Sequence, residues 1–132
     1  MGFDMDVASL EPGPAVAHSL RRPSLLVVDD DVDTRHLVRE ILGDHFDVIE
    51  AGDGLTALAL ALLHRPDVVL SDVRMPELDG FALAEALAGV INKVILMTAD
   101  FVSRADVIAS GAVGLLEKPF PLSALRAAVA NV

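Results

Sequence analysis

A few side chains, far apart along the chain, could do chemistry together: Asp29, Asp30 and Asp31 in a row, then Asp72, Thr98 and Lys118. Each follows or ends an apolar run: Ser24–Val28 before the aspartates, Val68–Ser71 before Asp72, Lys93–Met97 before Thr98 and Val113–Glu117 before Lys118. A carboxylate at the exit of a buried strand is costly unless it is paired, metal-bound or reactive. Clustered carboxylates also repel one another and cannot all stay ionised cheaply without a cation. An all-oxygen donor set without thiolate or imidazole suits Mg²⁺, which keeps several waters and accepts phosphate oxygens. The Lys118 ammonium and the Thr98 hydroxyl suit the remaining oxygens of a phosphoryl group. The chemistry these types imply is phosphoryl transfer by positioning and electrostatics, with Asp72 attacking in line.

Such a site exists only if the chain folds these positions together. Short apolar runs rich in β-branched residues predict strands over 24–28, 46–51, 66–72, 93–98 and 113–117. Between and after them, helices are expected from the aspartate run to Leu42, over 55–64, 78–88 and 103–110, and from Pro121 to about Ala130. Gly43 and Gly111 read as helix stops. Regular alternation of strand and helix predicts an α/β domain with a parallel sheet and helices on both faces. All strand carboxyl ends then form one edge, where ligands bind at the point where strand order reverses. The first strand delivers Asp29 and Asp30 to that edge, the third Asp72, the fourth Thr98 and the fifth Lys118; the second delivers only small residues.

The 132 residues suffice for one domain, read as a flexible tail over 1–22 and a folded unit over 23–132. Pro12, Gly13 and Pro14 interrupt the tail. The absence of cysteine excludes disulfides and thiolate metal sites and fits a cytoplasmic location. A formal net charge of −10 argues against nucleic acid binding by this chain, because phosphate contacts need Lys and Arg. Its apolar runs fall short of a membrane span.

The motifs Val27-Val28-Asp29-Asp30, Ser71-Asp72-Val73-Arg74-Met75-Pro76-Glu77-Leu78-Asp79-Gly80, Met97-Thr98-Ala99 and Glu117-Lys118-Pro119-Phe120 resemble those of the receiver domain of two-component response regulators. The resemblance covers about residues 24–132. It implies a flavodoxin-like (βα)5 fold with a five-stranded sheet of order 2-1-3-4-5. It implies Asp72 as phosphoacceptor, with Asp29, Asp30, Asp72 and the main-chain carbonyl of Arg74 around Mg²⁺. Thr98 would be the switch hydroxyl and Lys118 the phosphate-pairing lysine, with a cis bond before Pro119. The phosphoryl donor would be a histidine kinase or a phosphotransfer protein, and a homodimer could form through the last two helices and last strand.

The chain departs from the family pattern at Leu115. Many members carry an aromatic ring there, three residues before the lysine, and it turns inward as the threonine moves. Any output change here is expected to be smaller, or to use Phe101 or Phe120. Arg74 and Asp100 each lie two residues past a site residue, Asp72 and Thr98, in positions that flank the family's hydrolytic water path. An ion pair there would lengthen the phosphorylated lifetime.

Other readings compete. The aspartate run could be a helix cap with solvated charge. Asp29, Asp31, Asp33 and Glu40 match a calcium loop, but Thr34 stands where that loop needs glycine. A haloacid-dehalogenase-like phosphatase would use Asp29 as nucleophile and Asp31 as general acid, yet no acidic residue follows Lys118 to complete its metal site. A receiver-like module acting without phosphorylation would be expected to lack an aspartate or the lysine. The uncharged run Leu55–Leu63 reads as core, with a partner face as the alternative.

Overall fold

The computed structural model describes residues 22–132. The expected tail therefore lies outside the described residues, apart from Arg22. Ten elements alternate strictly: β1 (Ser24–Val28), α1 (Val32–Leu42), β2 (Asp47–Ala51), α2 (Gly54–His64), β3 (Val68–Asp72), α3 (Gly80–Leu87), β4 (Lys93–Thr98), α4 (Arg104–Ala109), β5 (Gly114–Glu117) and α5 (Leu122–Ala128). The strands form one parallel sheet in the order β2-β1-β3-β4-β5, as expected.

Period-two alternation along the strands builds two cores, one on each face. Leu25, Val27, Val68, Leu70, Ile95 and Met97 face α1 and α5, where Val38, Leu42, Leu125 and Val129 cover them. Leu26, Val28, Val69, Val94 and Leu96 face α2, α3 and α4 and meet Ala57, Ala61, Leu83, Leu87 and Val107. With both faces covered, β3 is buried at every position and can be a continuous apolar run. The outer strands differ: Asp47 of β2 is exposed, and β5 is only four residues long.

Element ends are set by local hydrogen bonds. Asp31, Asp53, Asp79 and Ser103 cap α1, α2, α3 and α4, each accepting a main-chain N–H from the first turn. Capping by Asp79 and Ser103 moves the starts of α3 and α4 to Gly80 and Arg104, later than the apolar pattern suggests. Phe46 belongs to the turn and not to β2, because its N–H is bonded to the Leu42 carbonyl at the end of α1 (2.9 Å). Helix α2 buries Ala57 and Ala61 but leaves Leu55, Leu62 and Leu63 exposed.

Two glycines set how closely loops approach the sheet edge. A Cβ on Gly80 would lie 2.4 Å from the Asp72 carbonyl oxygen and 2.8 Å from the Val73 Cα. The Gly80 N–H donates to the Val73 carbonyl at 2.9 Å, so the loop after β3 folds back onto its own strand end. A Cβ on Gly54 would lie 2.2 Å from the Leu78 carbonyl oxygen of that same loop. Gly80→Ala is expected to cost about 1–3 kcal/mol by forcing these backbones apart. Urea unfolding followed by circular dichroism should show a lower midpoint with an unchanged slope.

Candidate functional site

Asp29 follows β1 and has all its polar groups engaged. Its N–H donates to the Ala51 carbonyl of β2 at 3.1 Å, and its own carbonyl accepts from an Arg35 guanidinium nitrogen at 2.7 Å. Its carboxylate, 1% exposed, accepts the Asp31 N–H on Oδ1 (2.9 Å) and the Lys118 Nζ on Oδ2 (2.7 Å). Asp72 ends β3 with its side chain 12% exposed, and the Lys118 Nζ lies 3.5 Å from its Oδ2. Asp30 is exposed. One carboxylate oxygen from each of Asp29, Asp30 and Asp72 lies within 4.8 Å of the others.

The lysine reaches both carboxylates because its backbone is fixed. Its N–H donates to the Thr98 carbonyl at 2.7 Å, and the Lys118–Pro119 bond is cis. Thr98 ends β4, is buried, and accepts the Asp100 N–H on Oγ1 at 3.0 Å. Above this edge Arg74 and Asp100 form an ion pair, Nε to Oδ2 3.1 Å, with both side chains more than half exposed.

Electrostatics follow from burial and pairing. Burial pushes the Asp72 carboxyl above its ordinary value; Lys118 pulls it down without cancelling the rise, and the charge of Asp29 adds to it. Burial alone would lower the Lys118 ammonium, but its hydrogen bond to Asp29 and the charges of Asp29 and Asp72 raise it above an ordinary lysine. Asp31 stands apart from the cluster. Its carboxylate accepts the Thr34 hydroxyl at 2.9 Å and the Asp33 N–H at 3.2 Å, and these bonds hold it below the usual carboxylate range. A carboxylate held ionised in this way is poorly suited to the general-acid role that the phosphatase reading assigns to it.

The donors of Asp29, Asp30 and Asp72 are all carboxylate oxygens on a partly buried edge, and they fit a hard divalent cation. Leu115 on β5 is half-buried against the α2–α4 core; Phe101 is 90% exposed; Phe120 is half-buried against the α1–α5 core. A groove of about 940 Å³ runs between α4, β5 and α5, lined by Val107, Ile108, Leu115, Phe120 and Ala124, and meets the site at Lys118. It lies beside the carboxylates and does not cover them.

Sequence reasoning missed Arg35 and Glu50. Arg35 Nε bonds Glu50 Oε1 at 3.1 Å and Arg39 Nε bonds Glu50 Oε2 at 2.6 Å. The signal was present: two arginines four apart on one helix, and an acidic residue on the next strand. Only the sheet register shows that they meet beside Asp29.

A parallel five-stranded α/β sheet with carboxylates, a lysine and a threonine at its carboxyl edge defines the class. The sequence profile of the response regulator receiver domain matches residues 25–130, and the chain belongs to that family. It is 38% identical over 112 residues to the transcriptional regulatory protein PdtaR of Mycobacterium tuberculosis, covering 80% of this chain and 54% of that one. It is likewise 38% identical over 112 residues to the transcriptional regulatory protein PrrA of Mycobacterium bovis, covering 81% and 48%. The chain thus spans about half the length of these relatives. Among solved structures, the chemotaxis protein CheY4 of Vibrio cholerae superposes with a TM-score of 0.74 at 33% identity, covering 80% of this chain and 93% of that one. Among the described residues, no helix is long and apolar enough to cross a membrane.

The raised Asp72 carboxyl has a stability consequence. The folded state binds this proton more tightly than the unfolded state, so stability falls as pH rises from about the ordinary 3.8 through the raised folded value. Without divalent cations, Asp72→Asn is expected to raise Tm at pH 7, and the gain should shrink toward pH 4. Thermal melts at the two pH values check this.

Proposed function

We propose that this chain accepts a phosphoryl group on Asp72 from a phosphohistidine of a histidine kinase or phosphotransfer protein and signals through the resulting change in conformation. The observation that carries the reading is one ammonium, Lys118, touching Asp29 and Asp72 at once on the ligand-binding edge of the sheet. A Mg²⁺ ion would be held by Asp29, Asp30, Asp72 and the main-chain carbonyl of Arg74, and when bound it neutralises carboxylate and phosphoryl oxygens. An Asp72 carboxylate oxygen bonds to phosphorus as the phosphorus–nitrogen bond breaks and the imidazole leaves with the electron pair. Lys118 transfers part of its pairing from Asp72 to a phosphoryl oxygen. The Thr98 hydroxyl donates to another, and it is free to do so because in the present arrangement it accepts from Asp100 N–H.

With Leu115 in place of a ring, the output change is expected to be smaller, or to reach the surface through Phe101 or Phe120. The α4, β5 and α5 face is the surface where a second copy would dock. The family is one of signalling domains, so the chemistry expected of this chain is its own phosphorylation and dephosphorylation.

Intact mass after incubation with acetyl phosphate and Mg²⁺ tests the acceptor. The parent is expected to gain one phosphoryl adduct, and Asp72→Asn none. No adduct on the folded parent, with a phosphorylated kinase also tried, would leave a module that binds partners without phosphorylation. An adduct mapped to Asp29 would instead favour the phosphatase reading.

The Arg74–Asp100 pair is expected to shield the aspartyl phosphate from water. Arg74→Ala should then speed loss of the adduct by about threefold, a barrier change of less than 1 kcal/mol, in keeping with an exposed pair. A decay time equal to the parent's would remove the pair from the mechanism.

A further inference from the structure

We infer that Arg35 is a positioning residue for the cation site: anchored on Glu50, its guanidinium holds the main-chain carbonyl of Asp29 and so fixes where the Asp29 carboxylate stands. The inference rests on the Mg²⁺ reading above and concerns a residue that touches no proposed ligand atom.

The geometry separates two arginines on one helix. Arg35 and Arg39 both bond Glu50, through Oε1 at 3.1 Å and Oε2 at 2.6 Å. Only Arg35 also reaches the site loop, donating to the Asp29 carbonyl at 2.7 Å. Its side chain and that of Glu50 are each 18% exposed, whereas Arg39 is half exposed. Nε on Glu50 and a terminal nitrogen on Asp29 use the fixed fork of a planar guanidinium, which a lysine cannot reproduce. Among the described residues, the other bond to the Asp29 main chain is its N–H to the carbonyl of Ala51, on the same strand as Glu50. Strand β2 therefore grips Asp29 twice, once directly and once through Glu50 and Arg35. The fit is close: a Cβ on Gly52 would meet the Arg35 guanidinium at 3.4 Å.

Coulomb's law gives this idea a sign that a purely electrostatic role would not share. Removing Arg35 deletes a positive charge beside the carboxylates and leaves Glu50 less neutralised. Both changes make the site more attractive to a cation. Weaker Mg²⁺ binding in an Arg35 variant therefore cannot come from the lost charge.

The test is Mg²⁺ titration of the full chain by calorimetry, with amide shifts of Asp29 and Asp30 followed by NMR, for the parent, Arg35→Ala, Arg35→Gln and Arg39→Ala. Arg35→Ala is expected to bind Mg²⁺ roughly tenfold more weakly, with altered Asp29 and Asp30 amide shifts before any metal is added. Arg35→Gln should change affinity in the same direction, and it carries the test if the alanine variant does not fold. Arg39→Ala should lose stability but bind Mg²⁺ no more weakly than the parent, since it too leaves Glu50 less neutralised. Equal or tighter binding in the Arg35 variants would overturn the inference, as would equal weakening in Arg39→Ala, which would mark a general loosening of α1. A folded parent that binds no Mg²⁺ would overturn the cation reading itself, an outcome distinct from a parent that binds and an Arg35 variant that binds as well.

Discussion

One ammonium holds two buried carboxylates in a place they would otherwise leave. Lys118 is 2.7 Å from Asp29 and 3.5 Å from Asp72, and both acids are largely removed from water. Burial of ions of like sign is unfavourable, and one lysine does not fully compensate it, as the raised Asp72 carboxyl records. The arrangement persists because the backbone leaves little choice. Lys118 is tied by its N–H to β4, Asp29 by its N–H to β2, and Asp72 ends a strand with buried neighbours on both sides. The sheet supplies the stability, and the edge spends part of it on a site that favours the arrival of more positive charge.

Close backbone approach is the second constraint. Gly80 lets the loop after β3 turn directly over Asp72, and Gly54 lets α2 start against the same loop. These glycines are needed for space and not for a left-handed backbone. They bring the loop after β3 and the start of α2 close together beside the acidic edge, so main chain as well as side chains shapes its surroundings.

The fold was legible because four of the five strands are short apolar runs that end in, or are followed at once by, a residue of a different kind. The positions of Asp29, Asp72, Thr98 and Lys118 followed directly from that pattern. What sequence could not sort was the role of each aspartate near the edge. The run 29–31 could be read as a helix cap or as part of a site, and hydrogen-bond geometry divides it: Asp31 caps α1, whereas Asp29 and Asp30 lie with Asp72. The Arg35–Glu50 contact was hidden for a related reason: helix periodicity shows which arginines share a face, but not which strand residue lies beneath them. Boundaries shifted where a side chain or turn outcompeted the ladder, as at Phe46, whose N–H bonds the end of α1.

The two outer strands bear on how copies of this chain can meet. A sheet edge with free N–H and C=O groups is a template for adding another strand, and natural proteins blunt such edges with charge or brevity. Here β2 carries exposed Asp47 and the clamped Glu50, and β5 runs only from Gly114 to Glu117 before Pro119 ends it. Sideways growth of the sheet is thus discouraged at both ends. Any contact between copies would then be made by helix faces, with each copy keeping its own five-stranded sheet.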